Sequence, residues 1–303
     1  MWGAFKHLAS YVSSHVSNVQ CMDEEGLFLT LESAAERYGR CDPLWFREKR
    51  SPVIDSIAGG KEGPEMLLLH GLFGALSNWE SVFPLFEKFS RPTAIKFPLL
   101  SLHRSEVKIK SLALLTEYFI RKEHSKPVVL CGNSLGGHVA LRLCLASPEL
   151  VDCLVLAGTS GLYEHTVDSL PVRPKHDFVR DHMYRVFWDT KFITDEAVNE
   201  IASTLAQREH VLNLIHAARS AKRDNLQNLL SKIAVPTLLL WGEDDQVTTL
   251  DVAHQFNQLI PNSTLVTIKN CGHAPMIEHP EWFADEVDKF LRKHSRVASS
   301  NPI

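Results

Sequence analysis

A lone serine stands where an apolar run passes into a helical pattern. Residues 128–140 read VVLCGNSLGGHVA, which places Ser134 between two glycines in the order G-x-S-x-G. A serine at so sharp a turn adopts a strained backbone conformation, and side chains at Gly132 and Gly136 would collide there. The turn lifts the hydroxyl above the sheet and leaves the Leu135 N–H at a helix N-terminus, where it can donate to a developing oxyanion. The pattern indicates nucleophilic attack by Ser134, provided that a base and an acid accompany it.

Candidates for the base and the acid follow two late strands of the sequence. Residues 238–245 read LLLWGEDD, an apolar run that ends in an acidic turn, and His273 follows the apolar run at 265–268. A hydroxyl is a weak nucleophile at neutral pH, so it needs a general base, and the base needs an acid that fixes its tautomer. His273 is the predicted base. Asp245 is the predicted acid, with its neighbour Asp244 as the alternative.

A second loop offers another donor for an oxyanion. Residues 70–74 read HGLFG and follow the apolar run at 66–69. The second donor must be a backbone N–H on a loop other than the serine turn. The Leu72 N–H is the predicted donor and that of Phe73 is the next candidate. We expect His70 to shape this loop through hydrogen bonds.

A parallel sheet would bring these loops to one edge. From about residue 52, short apolar runs alternate with amphipathic helical patterns, which predicts an α/β fold with a parallel sheet covered on both faces. The predicted strands are 66–69, 93–97, 128–131, 153–157, 237–241 and 265–268. The predicted helices of this part are 112–121, 135–146, 250–259 and 281–292.

The alternation stops between Gly161 and Val235. Helical patterns occur there at 178–188, 195–205, 211–221 and 226–233. An insertion at the carboxyl ends of the strands is a natural cap over a site. The predicted division is an N-terminal extension at 1–51, a core at 52–160 and 236–303, and a helical cap at 161–235.

Composition and charge narrow the functional classes. The chain has 303 residues, of which 45% are apolar and 22% charged, and its net charge of -4 gives no electrostatic reason to expect a nucleic-acid partner. Its 6 cysteines form no C-x-x-C pair, so we expect reduced thiols and a cytoplasmic location. Trp2, Phe5 and Leu8 recur at helical spacing near the N-terminus. That helix is expected to pack on the parent domain, with contact to a membrane surface as the alternative.

Together these motifs resemble the α/β-hydrolase superfamily. The segments are HGLFG at 70–74, GNSLGG at 132–137, WGEDD at 241–245 and GHAPMIEHP at 272–280. The resemblance implies an eight-stranded, mostly parallel sheet flanked by helices, with an antiparallel second strand and a helical cap inserted after strand 6. It also implies a catalytic triad of Ser134, Asp245 and His273, because the family's acid is the third residue after the glycine of the W-G-x-x-D turn. No metal or organic cofactor is expected.

Carboxylic-ester hydrolysis through an acyl-enzyme is the main functional prediction, with a partly apolar, ester-like small molecule as substrate. The GNSLGG turn is also similar to that of hydrolases that cleave carbon–carbon bonds in diketo-acid ring-cleavage products. Those enzymes carry a longer Gly-Pro-Gly loop where this chain has residues 72–74, and a tryptophan where it has Ala274. Arg208, Arg219 and Arg223 of the cap are candidates for binding the carboxylate of such an acid.

A hypothesis from another class is a weakly catalytic ligand-binding protein that uses the same pocket. Two features prompt it: the N-terminal extension, and the unusual apolar loop at residues 97–100, where many relatives have an acidic residue and a glycine-rich turn. Under this hypothesis that loop would be a surface for a partner.

Overall fold

One eight-stranded sheet organises the part of the chain that the computed structural model describes, namely residues 17–20, 36–38, 52–162 and 174–296. The strands are β1 Ser17–Gln20, β2 Val53–Ala58, β3 Glu65–Leu69, β4 Arg91–Lys96, β5 Val128–Asn133, β6 Val151–Ala157, β7 Thr237–Gly242 and β8 Ser263–Ile268. The predicted N-terminal helix lies outside the described residues.

The strand order is β1-β2-β4-β3-β5-β6-β7-β8. β2 runs antiparallel to both of its neighbours, and every other neighbouring pair is parallel. This arrangement confirms the predicted α/β-hydrolase fold with its antiparallel second strand. The six strands predicted from apolar runs are all present. β1 and β2 were not among them, because the sequence of β2, VIDSIA, mixes polar and apolar residues and buries only part of its length.

Helices cover both faces of the sheet. They are α1 Phe83–Phe86, α2 Ile109–Glu123, α3 Leu135–Ala146, α4 His176–Val186, α5 Asp195–Leu205, α6 Arg208–Arg223, α7 Leu250–Leu259, α8 Pro275–Glu278 and α9 Pro280–His294. Alternate side chains of a strand point to opposite faces. Leu67 of β3 therefore packs in the same cluster as α2 and α3, whereas Leu68 packs with the apolar stripe of α9. β5, β6 and β7 are buried along their whole length, as expected for central parallel strands.

The chain between β6 and β7 carries the helices α4, α5 and α6, as expected for a cap inserted after the sixth strand. The predicted helix at 226–233 is wrong, because only a short 3-10 turn, Leu230–Lys232, forms there. The N–H groups of Leu229, Lys232 and Ile233 donate to carbonyls three residues back, so the segment forms tight turns instead of an α-helical ladder. The Leu226 N–H donates to the Gly161 carbonyl at 2.8 Å and ties these turns to the chain that leaves β6. The exact domain limits stay a prediction.

The unusual loop after β4 packs against the protein's own cap. Phe97 and Leu99 are 2% and 3% exposed. The Asn213 amide of α6 donates to the carbonyls of Leu99 and Leu102 at 2.9 and 3.0 Å. Because these atoms already have partners within the chain, the loop is not the free partner surface that the ligand-binding hypothesis requires.

The sequence predicts reduced cysteines, and four of the six lie in the described part of the chain. Cys131, Cys144, Cys153 and Cys271 are free and buried in the structure. Burial raises the pKa of the Cys144 and Cys153 thiols to about 12, so these groups are unreactive near neutral pH.

Within the described ranges, no helix is both long and apolar enough to cross a bilayer. The cytoplasmic location stays a prediction.

Candidate active site

Ser134 lies at the sharp turn between β5 and α3. Its φ of 54° and ψ of -118° place it outside the regions that ordinary residues adopt, a conformation that costs on the order of 1–3 kcal/mol. A Cβ at Gly136 would lie 2.0 Å from the Leu69 carbonyl oxygen, and one at Gly132 would lie 2.6 Å from the Gly136 carbonyl carbon. The turn therefore needs glycine at both positions. Ser134 is half-buried between buried neighbours, so its hydroxyl is within reach of a small molecule.

Asp245 and His273 meet at the ends of β7 and β8. The His273 Nδ1–H donates to Asp245 Oδ2 at 2.8 Å, and both residues are buried, with 6% and 4% exposure for the histidine and the aspartate. Oδ1 of Asp245 accepts the N–H groups of Val247 and Thr248 at 2.8 and 2.9 Å. The Thr248 hydroxyl donates to Oδ2 at 2.9 Å. The aspartate is thus held by three donors of its own turn, and it keeps the proton of His273 on Nδ1, which leaves Nε2 able to accept one.

Asp244 is not the partner of His273. Its side chain is exposed, and its N–H donates to the Cys271 carbonyl at 3.0 Å. Of the two aspartates in the turn, the structure brings only Asp245 to the histidine.

The loop of His273 is tied to the residue before the serine. The Asn133 amide donates to the carbonyls of Ala157 and His273, each at 3.0 Å. The Ser134 N–H donates to the same Ala157 carbonyl at 3.1 Å. Gly158, at φ 48°, lies so close that a Cβ there would be 2.8 Å from His273 Nδ1. The ends of β5, β6 and β8 therefore converge on one point of the sheet edge.

His70 holds the predicted oxyanion loop. Its Nε2 accepts the Phe97 N–H at 2.9 Å, so its proton is on Nδ1, which donates to the Gly71 carbonyl at 2.7 Å. Burial lowers the pKa of His70 to about 4, so the ring is neutral and acts as a fixed spacer between two loops. Gly71 packs on the serine, since a Cβ at this glycine would lie 3.3 Å from Ser134 Cβ.

Both predicted oxyanion donors are available. Leu72 follows Gly71 directly, and Leu135 is the first residue of α3. Within the described residues, neither N–H donates to another group of the protein. They lie on the two loops that meet at Ser134, so their role as oxyanion donors stays a prediction with suitable geometry.

His138 belongs to a buried network at the end of the cap. Its Nε2 lies 2.9 Å from the Asp224 carbonyl and 3.3 Å from its carboxylate, which also accepts Arg142 Nε–H at 2.9 Å. Burial opposes ionisation, but His138 and Arg142 hold the pKa of Asp224 below its usual value. The Ser160 hydroxyl lies 3.5 Å from His138 Nδ1 and donates to the Ser134 carbonyl at 3.3 Å. His138 thus joins the serine turn to the cap and is not a base for the serine hydroxyl.

His182 of α4 brings the cap over the oxyanion loop. Its ring contacts Phe73 edge to face at a centroid distance of 5.6 Å and stacks on Phe178 at 6.3 Å. Burial lowers the pKa of His182, and the positive charge of Arg185 lowers it further. An imidazole of the cap therefore contacts the loop at residues 70–74.

The three cap arginines named from the sequence lie elsewhere. Arg208, Arg219 and Arg223 of α6 are all exposed. The pKa of the partly exposed His216 is lowered by burial and by the positive charges of Lys108, Arg223 and Arg219. The structure does not bring these arginines to Ser134.

Comparisons with known proteins agree with the fold. A model of the alpha/beta hydrolase family matches residues 66–286. A 2-hydroxy-6-oxo-6-(2'-aminophenyl)hexa-2,4-dienoic acid hydrolase of Metapseudomonas resinovorans is 28% identical over 257 residues, 80% of this chain and 88% of that protein. A 2-hydroxy-6-oxononadienedioate/2-hydroxy-6-oxononatrienedioate hydrolase of Cupriavidus pinatubonensis is 31% identical over 304 residues, 91% of this chain and 99% of that protein.

A solved structure shares the fold as well. The crystal structure of an alpha/beta hydrolase enzyme from the metagenome of sediments of the Mar Chica lagoon, Morocco, superposes with a TM-score of 0.64 at 31% identity, covering 79% of this chain and 95% of that chain. The chain therefore belongs to the α/β-hydrolase family. It is a hydrolase.

Proposed function

We propose that the protein is a serine hydrolase whose triad is Ser134, His273 and Asp245. The observation that carries this proposal is the buried 2.8 Å hydrogen bond between His273 Nδ1 and Asp245 Oδ2, beside a serine held at φ 54°. The strain of the turn and the burial of the Asp245 carboxyl group both cost free energy, and neither is needed for an ordinary turn.

The chemistry follows from these positions. The Ser134 hydroxyl attacks a carbonyl carbon while His273 Nε2 takes its proton. The N–H groups of Leu72 and Leu135 donate to the oxyanion that forms. His273 then gives its proton to the leaving fragment, which departs and leaves an acyl-serine. A water molecule, deprotonated by His273, attacks the acyl carbon and releases the carboxylic acid.

The substrate that we propose is a diketo acid of the 2-hydroxy-6-oxo-dienoate class, cleaved at the carbon–carbon bond beside its ketone. The two relatives described above are hydrolases of such acids and align with most of this chain. In this reaction the leaving fragment is a carbon fragment that takes the proton from His273.

Carboxylic-ester hydrolysis is the second candidate, and two sequence features favour it. The loop at residues 70–74 lacks the longer Gly-Pro-Gly segment of the carbon–carbon hydrolases. Ala274 stands where those enzymes carry a tryptophan, and it is buried at 3% exposure. The same triad serves both reactions, so only the leaving group differs.

A substrate comparison separates the two reactions. Purified protein is given a 2-hydroxy-6-oxo-6-phenyl-dienoate and, separately, a series of p-nitrophenyl esters, each with Ser134→Ala as the matched blank. We expect kcat/KM for the diketo acid to exceed that for every ester by at least about tenfold, and Ser134→Ala to lower both by about 10⁴-fold or more. A higher value for an ester would replace the first candidate by the second. Equal rates for the native protein and Ser134→Ala would contradict both.

A further inference from the structure

Glu278 is a buried carboxylate that touches both the cap and the loop of His273. It is the last residue of α8 and is 6% exposed. Its Oε1 accepts the Gly272 N–H at 2.7 Å. Its Oε2 accepts the N–H groups of Trp188 and Asp189, just after α4, at 2.9 and 3.0 Å. One side chain therefore binds two segments that lie more than 80 residues apart in the sequence.

The backbone of the two segments is in direct contact as well. The His273 N–H donates to the Val186 carbonyl at 2.7 Å. A Cβ at Gly272 would lie 2.4 Å from the Val186 carbonyl oxygen and 3.0 Å from the Trp188 nitrogen. The chain that leaves α4 thus runs against the loop of His273 without room for a side chain between them.

Burial of the Glu278 carboxyl group costs free energy, and the hydrogen bonds that it accepts offset this cost. Burial raises the pKa of Glu278, although the N–H groups of Asp189, Gly272 and Trp188 act in the opposite direction. Without this acceptor, the Gly272 N–H would be buried and unsatisfied, which native structures avoid, and the partly buried N–H groups of Trp188 and Asp189 would lose their acceptor as well. The side chain is therefore matched to both segments at once.

We propose that Glu278 is a positioning residue that couples the cap to His273. Asp245 fixes the imidazole ring and its tautomer, whereas Glu278 fixes the backbone from which that ring projects. A displacement of the cap at residues 186–189 would then move the loop at 272–273 with it, so the position of the cap sets the alignment of the base with Ser134. The kinetic part of this inference rests on the proposed function, and the coupling itself does not.

The test compares Glu278→Gln with Glu281→Gln. Glu281→Gln removes the same charge at a position three residues further along the chain, on the exposed first turn of α9. The amide at 278 can accept on one side only, so one segment loses its acceptor. Amide hydrogen exchange is measured by mass spectrometry on peptides that cover residues 186–189 and 271–273. We expect both peptides to exchange faster in Glu278→Gln, by a similar factor, and neither to change in Glu281→Gln.

Kinetics give the second readout, with active sites counted by a fluorophosphonate probe. We expect kcat per titrated site to fall roughly 10- to 100-fold in Glu278→Gln while KM changes less than threefold, which is the loss of about one charged hydrogen bond. A role in folding alone would lower the number of titratable sites and leave kcat per site unchanged. That result would overturn the proposal, as would faster exchange in only one of the two peptides.

Glu278→Asp is a second variant, which keeps the coupling testable if Glu278→Gln does not fold. Glu278→Asp keeps the charge but reaches one segment only, so we expect the same paired increase in exchange. Unchanged exchange in both peptides of Glu278→Asp would overturn the coupling. If the native protein bound no probe and cleaved no substrate, the proposed function would fail, and the exchange result would still decide whether the cap and the loop are coupled.

Discussion

Replacing Asp245 by asparagine should reverse the tautomer of His273 while leaving the shape of the site intact. The aspartate uses each of its oxygens for two donors: Oδ1 for the N–H groups of Val247 and Thr248, and Oδ2 for the Thr248 hydroxyl and His273 Nδ1. An asparagine has one oxygen and one NH₂ group for the same four contacts. The effect depends on which way the amide is oriented.

The two backbone N–H groups decide that orientation. If the amide oxygen faced His273, the NH₂ group would face two donors that cannot rotate, and the buried Thr248 N–H and the partly buried Val247 N–H would both lose their acceptor. Each such group costs about 1–3 kcal/mol, so this orientation is disfavoured by roughly 2–6 kcal/mol. The oxygen therefore stays with Val247 and Thr248, and the NH₂ group faces His273 Nδ1. That nitrogen must then accept, so the imidazole proton moves to Nε2, which loses the ability to take the proton of Ser134.

The expected loss in kcat is about 10⁴-fold, the size seen for this change in a serine protease, or about 5 kcal/mol of transition-state stabilisation. Steady-state turnover of the best substrate measures it, with thermal unfolding as a check that the fold is intact. Asp244→Asn is the matched control, because Asp244 is exposed and does not touch His273. Its kcat should change less than twofold. A loss below tenfold in folded Asp245→Asn, or an equal loss in Asp244→Asn, would refute the assignment of the acid.

Three further substitutions test the positions around the triad. Gly136→Ala puts a Cβ 2.0 Å from the Leu69 carbonyl, so we expect chemical denaturation to show a free energy of unfolding lower by about 1–3 kcal/mol or more, and an unchanged midpoint would contradict the packing described. In the native state the pKa of His70 is lowered from 6.5 to about 4, so between these pH values the unfolded chain binds a proton at His70 and the native state does not. Stability from this residue is therefore full above pH 6.5 and declines by about 3 kcal/mol towards pH 4, a decline that His70→Gln should lack in urea titrations at several pH values. Thr248→Val removes one donor to Asp245 and should lower kcat about tenfold with KM nearly constant, whereas a loss as large as that of Asp245→Asn would mean that the hydroxyl has a role of its own.

Local patterns in the sequence predicted much of the fold, and they singled out the three residues of the proposed triad. Five of the six strands that were found are largely buried apolar runs, and the serine turn is recognisable because its geometry requires glycine at fixed positions. Asp245 and His273 each follow a strand of the same parallel sheet, and such strands end at one edge. These features depend on neighbours in sequence or on a regular sheet, which is why residue spacing reveals them.

Contacts between distant segments could not be predicted in this way. Asn133 binds a carbonyl 140 residues away, and Glu278 binds an N–H group 90 residues away. In the sequence, His182 is one of several residues of an amphipathic helical pattern, and nothing near it indicates its contact with Phe73, more than 100 residues earlier. The helix wrongly predicted at 226–233 has helical spacing in the sequence, but the segment forms tight turns that are tied to the distant Gly161 carbonyl.

Covalent labelling tests the central assignment most directly. Native protein, Ser134→Ala and Asp244→Asn are incubated with a fluorophosphonate, and the modified peptide is located by mass spectrometry. Native protein and Asp244→Asn should each carry one adduct, on the peptide that contains Ser134, and Ser134→Ala should carry none. An unlabelled but folded native protein, or an adduct that persists in Ser134→Ala, would contradict the assignment of Ser134 as the nucleophile.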